Sequence, residues 1–139
     1  MLKTAEKIAT FLAEHHLLSL ATSVNNQPQS ASLFYAYDAD QQLFIVASDK
    51  KTQHIQNVMH NPYVSGTVAL ETDEIGKIRG LQFKAKMEAI DDVAGQLYYQ
   101  HFAYARVMKP QLWSIVIDEM KFTDNRLGFG KKLQWKREF

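Results

Sequence analysis

The sequence contains no cysteine, which excludes disulfides, thiolate nucleophiles and cysteine-ligated metal centres. It also lacks an excess of either charge. Sixteen Lys+Arg face 15 Asp+Glu for a net charge of +1, so no general field draws in nucleic acid or an anionic membrane. No apolar run approaches membrane-spanning length. Glu6 and Glu14 interrupt the stretch where a signal peptide needs unbroken apolar residues. These absences lead us to expect a soluble, cytoplasmic protein. Internal repeats, linkers and low-complexity tracts are absent as well, and 139 residues is about one ordinary domain, so residues 1–139 read as a single unit.

What is present can fill a core: 46% of residues are hydrophobic and 12% aromatic. From Lys3 to His16, Ala5, Ile8, Ala9, Phe11 and Leu12 recur at helical spacing, which predicts an amphipathic helix with Thr4 as a candidate N-cap. Leu17 to Val24 then alternates apolar and small polar residues, as a strand does. Asn25-Asn26-Gln27-Pro28 reads as a turn, followed by strands over 29–37 and 42–47. A short helix ends at Asn61-Pro62, because the residue before proline is pushed out of the helical region. Further strands are expected over 63–70, 77–90 and 112–122, with a last one over 133–136. Between the long strand and the next, Asp91 is placed to cap a helix over 92–106, with Val93, Leu97, His101 and Phe102 near one face. Six or seven short antiparallel strands with few helices argue for a mainly β chain closed into a barrel, because closure removes unpaired edges. A barrel of this size is filled by its own side chains. A ligand is therefore expected outside it, against a second subunit.

Two stretches are dense in groups that carry chemistry. Ser48 to Pro62 (S-D-K-K-T-Q-H-I-Q-N-V-M-H-N-P) passes from a strand through a doubly basic turn into a helix. With Thr52 as N-cap, the first helical N–H groups lack intrahelical partners. Ile55, Val58 and Met59 form the buried face, and Ser48, Thr52 and His54 reach the mouth. Such a helix start holds phosphates, although a well-capped surface helix has the same pattern. The second stretch, Phe122 to Trp135, has Gly128 and Gly130 around Phe129 but lacks the spacing of a Walker A loop. Trp135 beside Lys131 and Lys132 suits a planar, phosphorylated ligand, or else a glycine turn with a packing tryptophan. No metal site is expected, since His54/His60 and His15-His16 do not converge on a helix. His101 reads as a core histidine. No G-x-S-x-G elbow is present. Lys131, Lys132, Lys136 and Arg137 make too small a patch for nucleic acid.

The run A-T-S-V-N-N-Q-P-Q-S-A-S-L-F-Y-A-Y-D, the stretch S-D-K-K-T-Q-H-I-Q-N-V-M-H-N-P-Y-V-S and the long strand G-L-Q-F-K-A-K-M-E resemble the pyridoxamine phosphate oxidase-like, FMN-binding split-barrel superfamily. The resemblance covers roughly residues 17–102, and the helix ending in Asn61-Pro62 before Val64-Ser65 is its most characteristic part. The tail F-T-D-N-R-L-G-F-G-K-K-L-Q-W is similar to a bacterial YhbP-like branch, extending the match over nearly the whole chain.

The resemblance implies a six-stranded antiparallel split barrel, a homodimer, and FMN at the subunit interface. Carried over by position, Ser30, Ala31, Ser32 and Leu33 would lie along the flavin ring. Ser48, Asp49, Lys51, Thr52, Gln53 and His54 would lie at the ribityl phosphate, with Lys131, Lys132 and Trp135 reaching in from the partner subunit. Oxidase members of the superfamily carry arginine at the position of Ser30, lysine at that of Tyr35, and an Arg-Lys pair at Gln53-His54. The cationic phosphate clamp is thus mostly replaced here, and Lys50 and Lys51 are the nearby substitutes. Two functions are compatible with this pattern. One is an FMN-dependent oxidoreductase, with Tyr35 and His54 as the only candidate proton-transfer groups. The other is a non-catalytic binding protein or sensor for FMN, haem or another planar ligand.

Overall fold

The computed structural model describes residues 2–128 and 130–138. Its strands are β1 (Leu17–Val24), β2 (Gln27–Asp38), β3 (Leu43–Ala47), β4 (Tyr63–Ala69), β5 (Arg79–Ile90), β6 (Leu112–Asp124) and β7 (Lys132–Lys136). The helices are α1 (Leu2–Ala13), α2 (Gln53–His60), α3 (Gln96–His101) and the single turn α4 (Ala105–Met108). All neighbouring strands are antiparallel in the order β3-β2-β1-β4-β5-β6-β7, and β3 pairs back onto β6. Six strands therefore close a barrel, the mainly β architecture implied by the resemblance, and β7 is added outside the closure. Among the described residues no helix is long and apolar enough to cross a membrane.

The split in the barrel lies on β6. One edge of that strand serves two neighbours: Leu112–Val116 pair with β3, and Glu119–Thr123 pair with β7. Between them the register against β5 slips, with Ala85 opposite Ile117 and Lys84 opposite Glu119, so Asp118 is the extra residue of a bulge. Such a bulge bends a strand and lets its neighbours diverge. Arg137 fills the fork. Its Nε donates to Ile117 O at 2.7 Å and its Nη2 to Gln41 O and Gln42 O, each at 2.9 Å. One guanidinium thus bridges β6 to the turn before β3, adding to the bond that Ile117 N already makes to Gln42 O at 3.2 Å.

The core follows the alternation of the strands. Leu81, Phe83, Ala85 and Met87 of β5 are buried, while Gln82, Lys84, Lys86 and Glu88 are exposed. α1 lays Ile8, Phe11 and Leu12 on this core, with the Phe11 ring 4.9 Å from that of Phe122.

Several expectations are corrected. Strand β2 begins at Gln27, because Asn25 and Asn26 both take left-handed φ (53° and 62°) and close the hairpin in two residues. Pro28 is tolerated there because β2 pairs with β3 only from Tyr35 onward, leaving that edge free. The single helix expected over 92–106 is instead a turn followed by α3 and α4. Asp91 caps that turn, its Oδ1 accepting from Ala94 N at 2.8 Å. Gly95 is buried so closely against Leu112 that a β-carbon would overlap it. With the helix starting late, Tyr98 and Tyr99 are the buried residues, whereas Val93 and His101 face solvent. Met59 is half exposed, and the polar Asn57 takes the buried place beside Ile55 and Val58.

At the far end of β6, Asp124 is buried between two arginines. Arg126 Nε and Nη2 donate to its two oxygens at 3.0 and 2.9 Å. Arg79 Nε lies 3.7 Å away, a charge contact too long for a hydrogen bond, and among the described residues that buried nitrogen has no hydrogen-bond partner. Hydrogen bonding from Arg126 holds the Asp124 carboxyl below its ordinary value of 3.8. The unfolded chain therefore takes up this proton first. The stabilisation is complete above about pH 4 and is lost as pH falls through the depressed folded value. Urea unfolding followed from neutral to acid pH is expected to show a shallower acid limb for Asp124→Asn than for wild type. An unchanged slope would remove Asp124 from acid sensitivity.

Candidate functional site

The segment from Ser48 to His60 is built by the end of one ladder and the start of one helix. The β3–β6 ladder runs on one bond further, Ser48 N donating to Gln111 O at 3.0 Å, while Trp113 Nε1 donates to Ser48 O at 2.9 Å. Trp113 is buried, so the Ser48 backbone is anchored to the barrel. Asp49 then makes the turn: its Oδ1 accepts from Lys51 N at 2.8 Å, and its carbonyl accepts from Thr52 N and Thr52 Oγ1. Thr52 is the N-cap, with extended backbone and Oγ1 accepting from Ile55 N at 3.4 Å. Among the described residues the N–H groups of Gln53 and His54 have no partner, as expected for a helix's first turn.

The hydroxyls and imidazole meant to face this mouth are tied to one another. Ser48 Oγ lies 2.6 Å from His54 Nε2, and Thr52 Oγ1 lies 3.3 Å from the same nitrogen. Burial pushes the His54 imidazole below its ordinary value of 6.5, so it is neutral near pH 7 and contributes a hydrogen-bonding group there without a charge. Lys50 and Lys51 are exposed beside it. Gln53 turns away: its Nε2 donates to Asn57 Oδ1 at 2.8 Å, and Asn57 Nδ2 donates to Thr22 Oγ1 at 3.0 Å. This relay, buried at Asn57 and Thr22, clamps α2 to β1 together with Asn61 Nδ2 on Ser23 O at 2.9 Å.

On β2 the alternation sorts the remaining residues. Ser30 and Ser32 point out and are exposed, while Ala31 and Leu33 are half-buried on the other face. The β2–β3 register ends at Tyr35 opposite Val46. Continued by two residues, that register would bring Leu33, on the inward face, level with Ser48. Tyr35 is not available for proton transfer. It is 2% exposed, its hydroxyl donates to Leu12 O at 2.7 Å, and burial raises its pKa.

Lys131, Lys132 and Trp135 lie elsewhere on the chain. Ala47 is opposite Leu112 at one end of β6, and Lys132 is opposite Thr123 near the other. Leu112 and Thr123 are eleven positions apart, up to roughly 36 Å along an extended strand, which sets Lys132 well away from the Ser48 turn of the same chain. Lys131 and Lys132 are exposed, and Trp135 is half-buried with the Arg137 guanidinium 5.5 Å from its ring. Trp135 does share a groove of about 610 Å³ with Ser30, along the outer face of the sheet. Among the described residues no group of three or more His, Asp or Glu could hold a metal ion.

The sequence pattern does not single out Trp113 or the Thr22–Asn57 pair, and it offers Arg137 only as one of four surface cations. Their partners are 20 to 96 residues away along the chain, so spacing alone does not reveal them.

The sequence pattern of the pyridoxamine 5'-phosphate oxidase family matches residues 4–123, most of the barrel just described. The chain belongs to that family. Within it, the chain is similar to the UPF0306 protein YhbP of Salmonella arizonae, 37% identical over 139 residues, covering 97% of this chain and 95% of that one. Two solved structures share the fold. A heme binding protein from Mycobacterium smegmatis matches with a TM-score of 0.79 at 15% identity, over 96% of this chain and 57% of that one. This family member thus spans little more than half of that neighbour. A FAD-binding protein from Mesorhizobium loti matches with a TM-score of 0.66 at 20% identity, over 84% of this chain and 89% of that one.

Proposed function

We propose that this family member is an FMN-binding flavoprotein of the oxidoreductase type, holding the flavin between two copies of the chain in the cytoplasm. The observation that carries the reading is the start of α2. The N–H groups of Gln53 and His54 lack partners there, next to the Ser48–His54–Thr52 cluster and Lys50 and Lys51. On β2 the hydroxyls of Ser30 and Ser32 point outward and are exposed. These groups fit a phosphate through neutral donors, a helix terminus and flexible lysines instead of through buried guanidinium groups. Bound flavin would supply hydride or electron transfer. The chain itself would hold the phosphate at Thr52–His54, orient the ring along Ser30–Leu33, and exclude water with Lys131, Lys132 and Trp135 of a second copy. The separation of Lys132 from the Ser48 turn within one chain supports that assignment for the two lysines.

Charge-assisted hydrogen bonds contribute roughly 1.5–3 kcal/mol each. Thr52→Val combined with Lys51→Ala is therefore expected to weaken FMN at least about tenfold, read by flavin fluorescence during titration. Unchanged affinity would displace the phosphate from this turn. Purified protein is expected to be yellow or to take up added FMN, and to bleach with NADH or NADPH. A colourless preparation that refuses FMN would end the flavin reading. A second reading, a non-catalytic carrier or sensor for haem or another planar ligand, draws support from the Mycobacterium smegmatis neighbour and from Gln53 and His54 standing where oxidases carry cations. A Soret band without turnover would favour it.

A further inference from the structure

Between the end of α1 and the far end of β2 lies a cavity of about 340 Å³ that shares no residue with the proposed flavin pocket. Local sequence makes room for it. Ala9 and Ala13 stand one helical turn apart on α1 and Ala39 follows β2, so three methyl groups line space that longer side chains would fill. The frame around them is fixed. Tyr35 N donates to His16 O at 3.0 Å and the Tyr35 hydroxyl to Leu12 O at 2.7 Å, which ties both sides of the bend after α1 to β2.

Three histidines line this cavity, His15 and His16 from the bend and His101 from the end of α3. A histidine in a helix's last turn commonly bonds one of the last carbonyls. Accordingly, His15 Nδ1 lies 2.8 Å from Phe11 O, and His101 Nδ1 lies 3.2 Å from Leu97 O. A carbonyl oxygen only accepts, so in each neutral ring the proton sits on Nδ1 and Nε2 keeps its lone pair. Capping explains each bond. It does not explain why both rings, with His16, meet at one cavity. Among the described residues no group of three could hold a metal ion, so a ligand that touches these rings has molecular size.

Tyr37 adds a donor to these acceptors. Among the described residues its hydroxyl has no hydrogen-bond partner, unlike those of Tyr35 and Tyr99. Burial and then the Asp38 charge push its pKa up to about 12 against the pull of Arg137, so the phenol keeps its proton. The described residues that line the cavity include no carboxylate, lysine or arginine.

We propose that this cavity binds a small, uncharged aromatic diol. Its hydroxyls donate to the Nε2 lone pairs of His15 and His101, the Tyr37 hydroxyl donates to one of its oxygens, and its ring rests on the alanine methyls and Leu12. The volume falls in the range of small-molecule sites, which are mostly apolar with a few placed polar groups. A lining without charge selects against an acid. A site built to hydrogen-bond a hydroxyl also rejects the analogue that lacks it, because its own polar groups are then left unpaired.

Calorimetric titration of the purified protein with resorcinol tests the assignment. Saturable binding is expected, and 1,3-dimethoxybenzene, the same ring without donors, is expected to bind at least about tenfold more weakly. His101→Ala and Tyr37→Phe each remove one hydrogen bond and are expected to weaken resorcinol about fivefold. His101 is exposed and the Tyr37 hydroxyl unpartnered, so both variants are expected to unfold thermally as wild type does. Resorcinol binding is expected whether or not the protein takes up FMN, and FMN uptake is expected to be equal in the variants. No saturable binding at millimolar resorcinol, equal affinity for the dimethoxy analogue, or unchanged affinity in either variant would overturn the proposal. Tighter binding of benzoate than of resorcinol would overturn it as well, by making the cavity a site for acids.

Discussion

Phe44→Ala is expected to lower the stability of this barrel by about 3–5 kcal/mol, the cost of deleting a large ring from a site that cannot collapse. Phe44 is wholly buried on β3, the strand whose pairing with β6 closes the barrel. Its ring centre lies 5.0 Å from those of Tyr35 and Phe83 and 5.4 Å from that of Tyr37. These neighbours come from β2 and β5, and each is held by its own ladder, so none can swing into the void. Domains of this kind have only about 5–15 kcal/mol to lose. Urea unfolding should show a much lower midpoint with an unchanged slope. A loss below about 1.5 kcal/mol, the range of a volume-conserving swap, would mean that the core repacks and that Phe44 is not its centre.

Gly66→Val should cost about 3 kcal/mol or more, at or beyond the upper end of overpacking penalties. Gly66 is the point where β4 pairs with Leu20 of β1 on one side and Phe83 of β5 on the other. A β-carbon there would overlap the Ser19 carbonyl oxygen and the Phe83 ring. The ring could turn aside at some cost. The carbonyl belongs to the ladder and could not. Thermal unfolding by circular dichroism measures the main effect, and a melting temperature equal to wild type would show that β1 and β4 can separate without penalty.

Both sites illustrate how differently parts of the molecule could be read in advance. The Asn25-Asn26 turn, the alternation in β5, the N-cap at Thr52 and the end of α2 at Asn61-Pro62 were legible because each is decided by residues next to one another. The 92–106 segment was misread because the constraint at Gly95 is its contact with Leu112 on β6, which no local pattern announces. Met59 was misassigned for a related reason: Thr22, on another strand, offers Asn57 a buried partner and so decides which face of α2 turns inward.

The candidate site divides in the same way. Local sequence was enough to bring hydroxyls, lysines and free N–H groups to one helix start, since a cap and the turn before it are short-range devices. Tertiary structure alone decided that Ser48 and Thr52 share the His54 imidazole, that Gln53 faces the Asn57 relay, and that Tyr35 is sealed in the core. It also placed Lys132 at the opposite end of β6 from the Ser48 turn, and it brought Ser30 and Trp135 into one outer groove. Strand register sets those neighbours, and register depends on ladders closed between residues far apart in the chain.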